Sequence, residues 1–253
     1  MVKRSRPPLS RAAVVPLVAV WLVFFSVHPA MLQAQPDCFR DDFKSLMNWR
    51  PQTFKDIDRH STYTIETQQE GSVLKATSDN SASCLISRKR FNVYDCPVIS
   101  WRWRVSKLYE QGDATTKAGD DYPLRVYVLF EYDPDQAGLA KRIKYSLVKA
   151  MYGDYPPDSS LNYIWASQQR SPDPIPNPFT DRARMIPVQS GPDRLGIWIT
   201  ETRHILDDYR QAFGHDPPAN ATLAVMNDSD NTGESSVSHL DFIQVSASGG
   251  TSE

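Results

Sequence analysis

Residues 97–132 read PVISWRWRVSKLYEQGDATTKAGDDYPLRVYVLFEY, and two alternating segments within this stretch decide the fold. Apolar residues occupy every second position over 99–105 and 124–130, with mostly polar or charged residues between them. A period of two with one apolar face is typical of half-buried antiparallel strands. The stretch therefore predicts two strands joined by a polar loop, which ends in the acidic pair Asp120 and Asp121.

Short strand-like segments separated by turn residues recur along the rest of the chain. Further strands are predicted over 39–43, 62–67, 72–77, 84–93, 161–166, 185–189, 195–199, 221–226 and 239–245. Apolar residues with helical spacing are confined to 135–152 and 201–213, and a glycine follows each segment. About ten strands and two short helices, without an alternating βαβ order, predict a mainly β protein: an antiparallel β-sandwich of jelly-roll type.

The first 34 residues have the three-part layout of a secretory signal peptide. A basic segment precedes an apolar run over 12–27, and Ala34 lies where a signal peptidase would cut. The run is shorter than the roughly 20 residues of a membrane span, although a retained anchor is the alternative. We therefore expect a signal peptide over 1–34 and a single domain over 35–253. The mature protein would be periplasmic or secreted and would have no stable membrane span.

The charge of the chain bears on its partners. The formal net charge is −2, but residues 35–253 hold 24 basic and 30 acidic side chains, a net charge of −6. A mildly acidic domain exerts no long-range attraction on nucleic acid, so we expect no nucleic-acid partner.

Three cysteines, Cys38, Cys84 and Cys96, lie in the predicted exported domain, where disulfides can form. An odd number leaves at least one of them unpaired. If residues 83–91 and 98–105 form a hairpin, Cys84 and Cys96 lie too far apart to be bridged. A disulfide from Cys38 to either of the other two stays open.

Residues 228–233 (DSDNTG) resemble the first half of a calcium-binding loop. Oxygen-bearing side chains at the first, third and fifth positions, namely Asp228, Asp230 and Thr232, precede a glycine that permits a sharp turn. His239 stands at the twelfth position, where such loops have a bidentate glutamate. The segment predicts either a calcium (Ca²⁺) site with these three ligands or a hairpin turn whose polar side chains bind their own backbone.

The polar faces of the strands predicted over 99–105 and 124–130 supply a candidate ligand site. If these strands are neighbours, one charged patch suited to an anionic ligand such as an acidic sugar would contain Arg102, Arg104, Arg125 and Glu131. Tyr163 and Trp165, which share one face of their strand, are further candidates for ligand binding. Trp101 and Trp103 stand among aliphatic residues, so we predict that both lie in the core.

Four carboxylates are candidates for acid–base catalysis: Asp120, Asp121, Glu201 and Asp208. Neighbouring carboxylates can share a cation, or one of them can hold a proton near neutral pH. Each carboxylate also suits a structural role. Arg125 could form an ion pair with Asp120 or Asp121, and a negative charge such as that of Glu201 is favourable near the start of the predicted helix. No serine-hydrolase, P-loop, dinucleotide or zinc-protease motif is present in the sequence.

Five segments, in order, resemble the bacterial exported family called domain of unknown function 3047. They are WRWRV (101–105), AGDDYPLRVYVLFEY (118–132), LNYIWAS (161–167), ETRHILDDYRQAFG (201–214) and MNDSDNTG (226–233). The similarity spans about residues 37–246 and implies no activity, because none is established for the family. The fold that it implies is similar to galactose-binding-like and carbohydrate-binding jelly rolls, and such folds host unrelated functions.

These observations predict an exported β-sandwich that binds a glycan or another envelope component. One alternative is an envelope polysaccharide hydrolase or lyase that uses paired carboxylates; another is a structural protein that binds a partner chain. Acids that converge in one cleft would favour the enzyme, and an accessible aromatic residue without paired acids would favour the binding protein. A flat apolar patch would favour the structural role.

Overall fold

The computed structural model describes residues 37–69, 71–135, 138, 139, 142, 145 and 156–247. The chain divides into two compact units, over 1–33 and 34–253, and all described residues belong to the second. In this described part no helix is long and apolar enough to cross a membrane.

The described residues form two β-sheets, one α-helix and one 3₁₀ turn. The six-stranded sheet consists of β1 (Asp37–Asp41), β3 (Thr62–Gln68), β4 (Gly71–Asp79), β6 (Val98–Val105), β11 (Ile199–His204) and β13 (Ser235–Ser246). The seven-stranded sheet consists of β2 (Trp49–Gln52), β5 (Ala82–Asn92), β7 (Arg125–Phe130), β8 (Ser159–Ala166), β9 (Ile175–Pro176), β10 (Ala183–Ser190) and β12 (Asn220–Asp228). The 3₁₀ turn covers Lys117–Gly119, and helix α1 covers Ile205–Phe213.

The strand order is β11–β6–β13–β4–β3 in the first sheet and β2–β5–β12–β7–β8–β10–β9 in the second. Strand β13 pairs with β6 on one side and with both β4 and β1 on the other. The predicted β-sandwich is confirmed. The second sheet is mixed rather than purely antiparallel, because β8 and β10 run parallel.

The core lies between the two sheets and is built from the inward faces of alternating strands. Trp101 and Trp103 are 0% exposed, which confirms the prediction that they are core residues. Their rings contact those of Tyr163 and Trp165 across the sandwich, with centroid distances of 5.1 and 5.8 Å. The prediction that Tyr163 and Trp165 bind a ligand is therefore wrong, because both rings are buried against β6.

The two strands of residues 97–132 do not pair with each other. Strand β6 belongs to the six-stranded sheet and β7 to the seven-stranded sheet, so their apolar faces meet across the core and their polar faces point apart. The single patch predicted from Arg102, Arg104, Arg125 and Glu131 therefore does not exist. The first two residues lie on one sheet of the sandwich, and the last two lie on the other.

The helix predicted over 201–213 begins later, at Ile205. Residues 199–204 form β11 because their backbone pairs with β6, and this pairing replaces the predicted strand over 195–199. Gly214 ends the helix with a φ of 77°, as predicted. The other predicted helix, over 135–152, lies largely outside the described residues.

A disulfide joins Cys38 of β1 to Cys96 in the loop after β5, and Cys84 is a free buried cysteine. Residues 83–91 and 98–105 do not form the hairpin that was considered in the sequence analysis, because β5 and β6 belong to different sheets. The bridge ties the first strand of the sandwich to a residue 58 positions later in the chain.

Loss of this disulfide is expected to lower the free energy of unfolding by about 2–4 kcal/mol, because the cross-link restricts the unfolded chain. Denaturant unfolding of the oxidised protein and of the Cys38→Ser, Cys96→Ser variant measures the difference. Adding a reductant should destabilise the wild type and leave the variant unchanged. Equal stability of the oxidised wild type and the variant would contradict this expectation.

Candidate functional site

The outer face of the six-stranded sheet carries a tryptophan beside the arginines of β6. Trp198, just before β11, is half-buried. The guanidinium carbons of Arg102 and Arg104 lie 5.1 and 4.7 Å from the centroid of its ring, within the range of a cation–π contact. Two of the predicted ligand-binding arginines therefore meet at an aromatic residue that the sequence analysis did not single out.

The charges around Trp198 are only partly paired. Arg102 forms an ion pair with Asp241 (Nε to Oδ2, 3.1 Å), which lies at an irregularity in β13 that locally shifts the register against β6. Arg104 has no carboxylate partner among the described residues, while its register neighbour His239 contacts Glu66 at 3.1 Å. Burial, opposed by Glu66 and reinforced by Arg104, lowers the pKa of His239. One half-buried guanidinium is thus left without a counter-ion.

A pocket of about 440 Å³ opens beside this ring. Trp198, Arg102 and Asp241 form one side of it, and Gln68 and Gly71 of the β3–β4 turn form the other. We call it the Trp198 pocket. An aromatic ring, a charged pair and an amide side chain around one concavity are the groups that orient a polar small molecule.

Arg125 lies on the other sheet in a buried ion pair. Its guanidinium binds both carboxylate oxygens of Asp228, and its Nη1 lies 3.6 Å from Oδ1 of Asp120. Burial opposes the charge on Arg125, but the surrounding tyrosines and carboxylates outweigh it and raise its pKa. This side chain holds the ends of β7 and β12 together. Its guanidinium therefore binds carboxylates of the protein itself, where a contact with a ligand was predicted.

The turn over 228–233 packs against the loop that precedes β7. Asp121 accepts hydrogen bonds from the side chain of Asn231 (3.0 Å) and the backbone N–H of Thr232 (2.6 Å). Asp121, Asp228 and Asp230 each place one carboxylate oxygen within 4.8 Å of the others. We call these three residues the carboxylate cluster.

The electrostatics of the carboxylate cluster favour a cation. Asp121 and Asp228 are 1% exposed, and Asp230 is half-buried. Together with Asp120, four carboxylates face the single guanidinium of Arg125 in the described part of the chain. Burial, followed by the charge of Asp121, raises the pKa of Asp230. The cluster could therefore hold a metal ion.

The structure adds a carboxylate to the predicted calcium site. Asp228 and Asp230 belong to the cluster as predicted, but the third carboxylate is Asp121, which was a candidate for catalysis. Thr232 contributes its backbone N–H to Asp121, and its hydroxyl accepts from the Glu234 N–H at 3.4 Å. Asp121 stands more than 100 positions before the turn, so no local motif could have included it.

The remaining catalytic candidates lie in a different set of contacts. Glu201 of β11 accepts a hydrogen bond from Gln189 (2.7 Å), and burial raises its pKa. Asp208 of α1 accepts from the hydroxyl of Tyr163 (2.9 Å) and pairs with Arg203. Among the described residues these two acids share no hydrogen-bond or ion-pair partner with Asp120 or Asp121, so the four do not form the predicted set of paired carboxylates.

The outer face of the seven-stranded sheet bears an open groove of about 1070 Å³, which we call the outer groove. It crosses β2, β5, β12 and β7, with an apolar floor and arginines at its rim. Glu131, a predicted ligand-binding residue, lies at this rim and pairs with Arg90 at 2.6 Å. The free cysteine Cys84 also lines the groove, and burial raises its pKa to about 12, so it is a neutral thiol at physiological pH.

Two packed sheets with concave sites on their outer faces define the protein as a β-sandwich. A family model described as "Protein of unknown function (DUF3047)" matches residues 47–244. The chain belongs to this family, as the five segments had indicated. No match was found among curated protein sequences.

Several solved β-rich structures are distantly similar. The enzymatically active domain of tailspike protein 4 from bacteriophage CBA120 has 9% identity and a TM-score of 0.36, over 81% of this chain and 20% of that one. The CBM22-1-CBM22-2 tandem domain of Paenibacillus barcinonensis Xyn10C has 11% identity and a TM-score of 0.35, over 87% and 51%. Winged bean acidic lectin complexed with methyl-alpha-D-galactose has 10% identity and a TM-score of 0.35, over 78% and 98%.

This chain thus spans a fifth of the first of these structures and about half of the second. Similarity at this level is common among unrelated two-sheet proteins, and it identifies neither a ligand nor an activity.

Proposed function

We propose that the protein is an exported, non-enzymatic β-sandwich that binds an acidic glycan of the cell envelope in the Trp198 pocket. The guanidinium of Arg104 carries this proposal: it packs on the ring of Trp198, just outside the residues that line the pocket, and has no carboxylate partner among the described residues. A guanidinium fork matches the two oxygens of a sugar carboxylate, and an indole ring packs against the apolar face of a pyranose. Asp241 and Gln68 offer acceptors and donors for sugar hydroxyls in the same pocket.

Two features support export and a binding role. The Cys38–Cys96 disulfide suits an oxidising compartment, in agreement with the signal-peptide layout of residues 1–34. The acids proposed for catalysis are held by internal hydrogen bonds and ion pairs in two separate groups. A periplasmic or secreted binding protein accounts for both features.

Arg104→Gln is expected to weaken binding of an acidic oligosaccharide at least about tenfold, because a charge-assisted hydrogen bond contributes about 1.5–3 kcal/mol. A glycan array, with and without calcium, identifies the ligand, and calorimetry then compares the variants. Arg88→Gln, an arginine on the opposite sheet, is the matched control and should bind like the wild type. Equal affinity of Arg104→Gln and wild type, or binding of neutral glycans alone, would refute the proposal.

We also propose that Asp121, Asp228 and Asp230 hold a calcium ion. Carboxylate oxygens are the ligands that this hard cation prefers, and each carboxylate keeps acceptor capacity beyond the hydrogen bonds already described. Asp230 forms no ion pair within the described part of the chain, and burial, followed by the charge of Asp121, raises its pKa. The ion would fix the 228–233 turn to the loop before β7.

Millimolar calcium is expected to raise the melting temperature of the wild type modestly, because extracellular calcium modules bind at about 0.1–1 mM and stabilise by mass action. Asp230→Ala should abolish this rise. Asp193→Ala, which removes an exposed acid elsewhere, should retain it. Thermal melts in calcium and in chelator make the comparison. Equal melting temperatures of the wild type in both would refute the calcium site, and residues 228–233 would then be a hydrogen-bonded turn only.

A further inference from the structure

The floor of the outer groove is apolar although it lies on the outside of the sandwich. Ile86 of β5, Leu129 of β7 and Met226 of β12 are half-buried there, beside the buried Ala224. A sheet face that meets only water normally carries polar residues, as the outer face of the six-stranded sheet does. The floor therefore has the composition of a surface that another apolar group covers.

Charge is distributed unevenly along the groove. Arg88 and Arg90 lie toward one end, near the pairing of Arg90 with Thr222, and Glu131 neutralises only Arg90. Arg88, at the same end, has no carboxylate partner among the described residues, whereas Arg50 of β2 donates to Gln52 (Nη1 to Oε1, 3.1 Å) toward the other end of the groove. This excess of positive charge stands out in a domain that is acidic as a whole.

The opposite end of the groove holds Cys84 and Met226, with Arg50 and Gln52 of β2 at its edge. Cys84 pairs with Met226 there, and the hydroxyl of Tyr127 contacts the Met226 sulfur at 3.4 Å. Beyond them, the buried Arg125–Asp228 ion pair ends the floor. From Thr222 to Met226 the floor extends about 13 Å along β12, at roughly 3.3 Å per residue.

We propose that the outer groove binds an anionic amphiphile. Its single hydrocarbon chain would lie on Ile86, Leu129 and Met226, and its anionic head would bind Arg88, with Arg90 nearby. A concave site of this volume suits a small molecule better than a flat protein partner. The site is separate from the Trp198 pocket, on the other sheet, and does not depend on glycan binding there.

Calorimetric titration with dodecyl phosphate, kept below its micelle concentration, tests this inference. The wild type should bind it, and should bind dodecyl maltoside and inorganic phosphate at least tenfold more weakly. Arg88→Glu should weaken binding of dodecyl phosphate at least tenfold by reversing the charge at the head. Leu129→Gln should weaken it by placing an amide in the floor, and circular dichroism verifies that both variants are folded.

The reciprocal control separates the two sites. Arg104→Gln should bind dodecyl phosphate like the wild type, although it is expected to lose the acidic glycan. Undiminished binding by Arg88→Glu and Leu129→Gln would overturn the inference. Equal affinity for dodecyl maltoside would also overturn it, since the groove would then be an apolar surface without a head-group site. So would competition between the acidic oligosaccharide and dodecyl phosphate.

Discussion

Replacing Arg125 with methionine should destabilise the folded protein by about 3–5 kcal/mol, the cost of leaving a buried charge without its partner. The substitution removes the only guanidinium that faces Asp120, Asp121, Asp228 and Asp230 in the described structure. Methionine fills much of the same space, so the loss would report charge rather than a cavity. Denaturant unfolding gives the free-energy difference directly.

Two controls make the Arg125 experiment specific. Arg88→Met, at an exposed position on β5, should change stability by no more than about 0.5 kcal/mol. Adding Asp228→Asn to Arg125→Met should restore part of the stability, because the most tightly paired carboxylate then no longer carries a charge. A loss below about 1 kcal/mol in the single variant would show that water or a bound cation already compensates the cluster.

Trp103→Ala is expected to cost about 3–5 kcal/mol, the usual range for truncation of a large buried aromatic residue. The ring is fully buried and contacts both Trp101 and Trp165, so its removal leaves a cavity between the sheets. Trp198→Ala is the matched control: its ring is partly in water, and the expected loss is about 1 kcal/mol or less. Similar losses in the two variants would contradict the different packing of these rings.

The sequence pattern predicted which side chains of residues 97–132 are buried, but not which strands pair with one another. Alternation reports the face of a strand on which a side chain lies, and Trp101 and Trp103 follow this rule. It contains no information about whether two apolar faces lie side by side or meet across a sandwich. The predicted arginine patch failed for this reason, because β6 and β7 face each other from different sheets.

The candidate sites were predictable only where their residues are close in sequence. The 228–233 motif correctly drew attention to Asp228 and Asp230. Asp121 joins them through the long-range pairing of β7 with β12, which no local pattern encodes. Trp198 was missed because it was taken only as part of the strand predicted over 195–199, whereas it lies just before β11 and its ring packs on the arginines of β6. The Cys38–Cys96 bridge likewise depends on the position of β1 beside β13.

The central place of β13 has a consequence for the order in which the protein can fold. The last strand of the chain supplies the partner for β6, β4 and β1 together. Until β13 is made, β1, the β3–β4 pair and the β6–β11 pair of the six-stranded sheet are not joined to one another, so the non-local contacts of this sheet form late. The seven-stranded sheet, by contrast, has all of its strands once β12 has been made. If the protein is exported as proposed, this late joining of the six-stranded sheet would help to keep the chain competent for passage through a translocation channel.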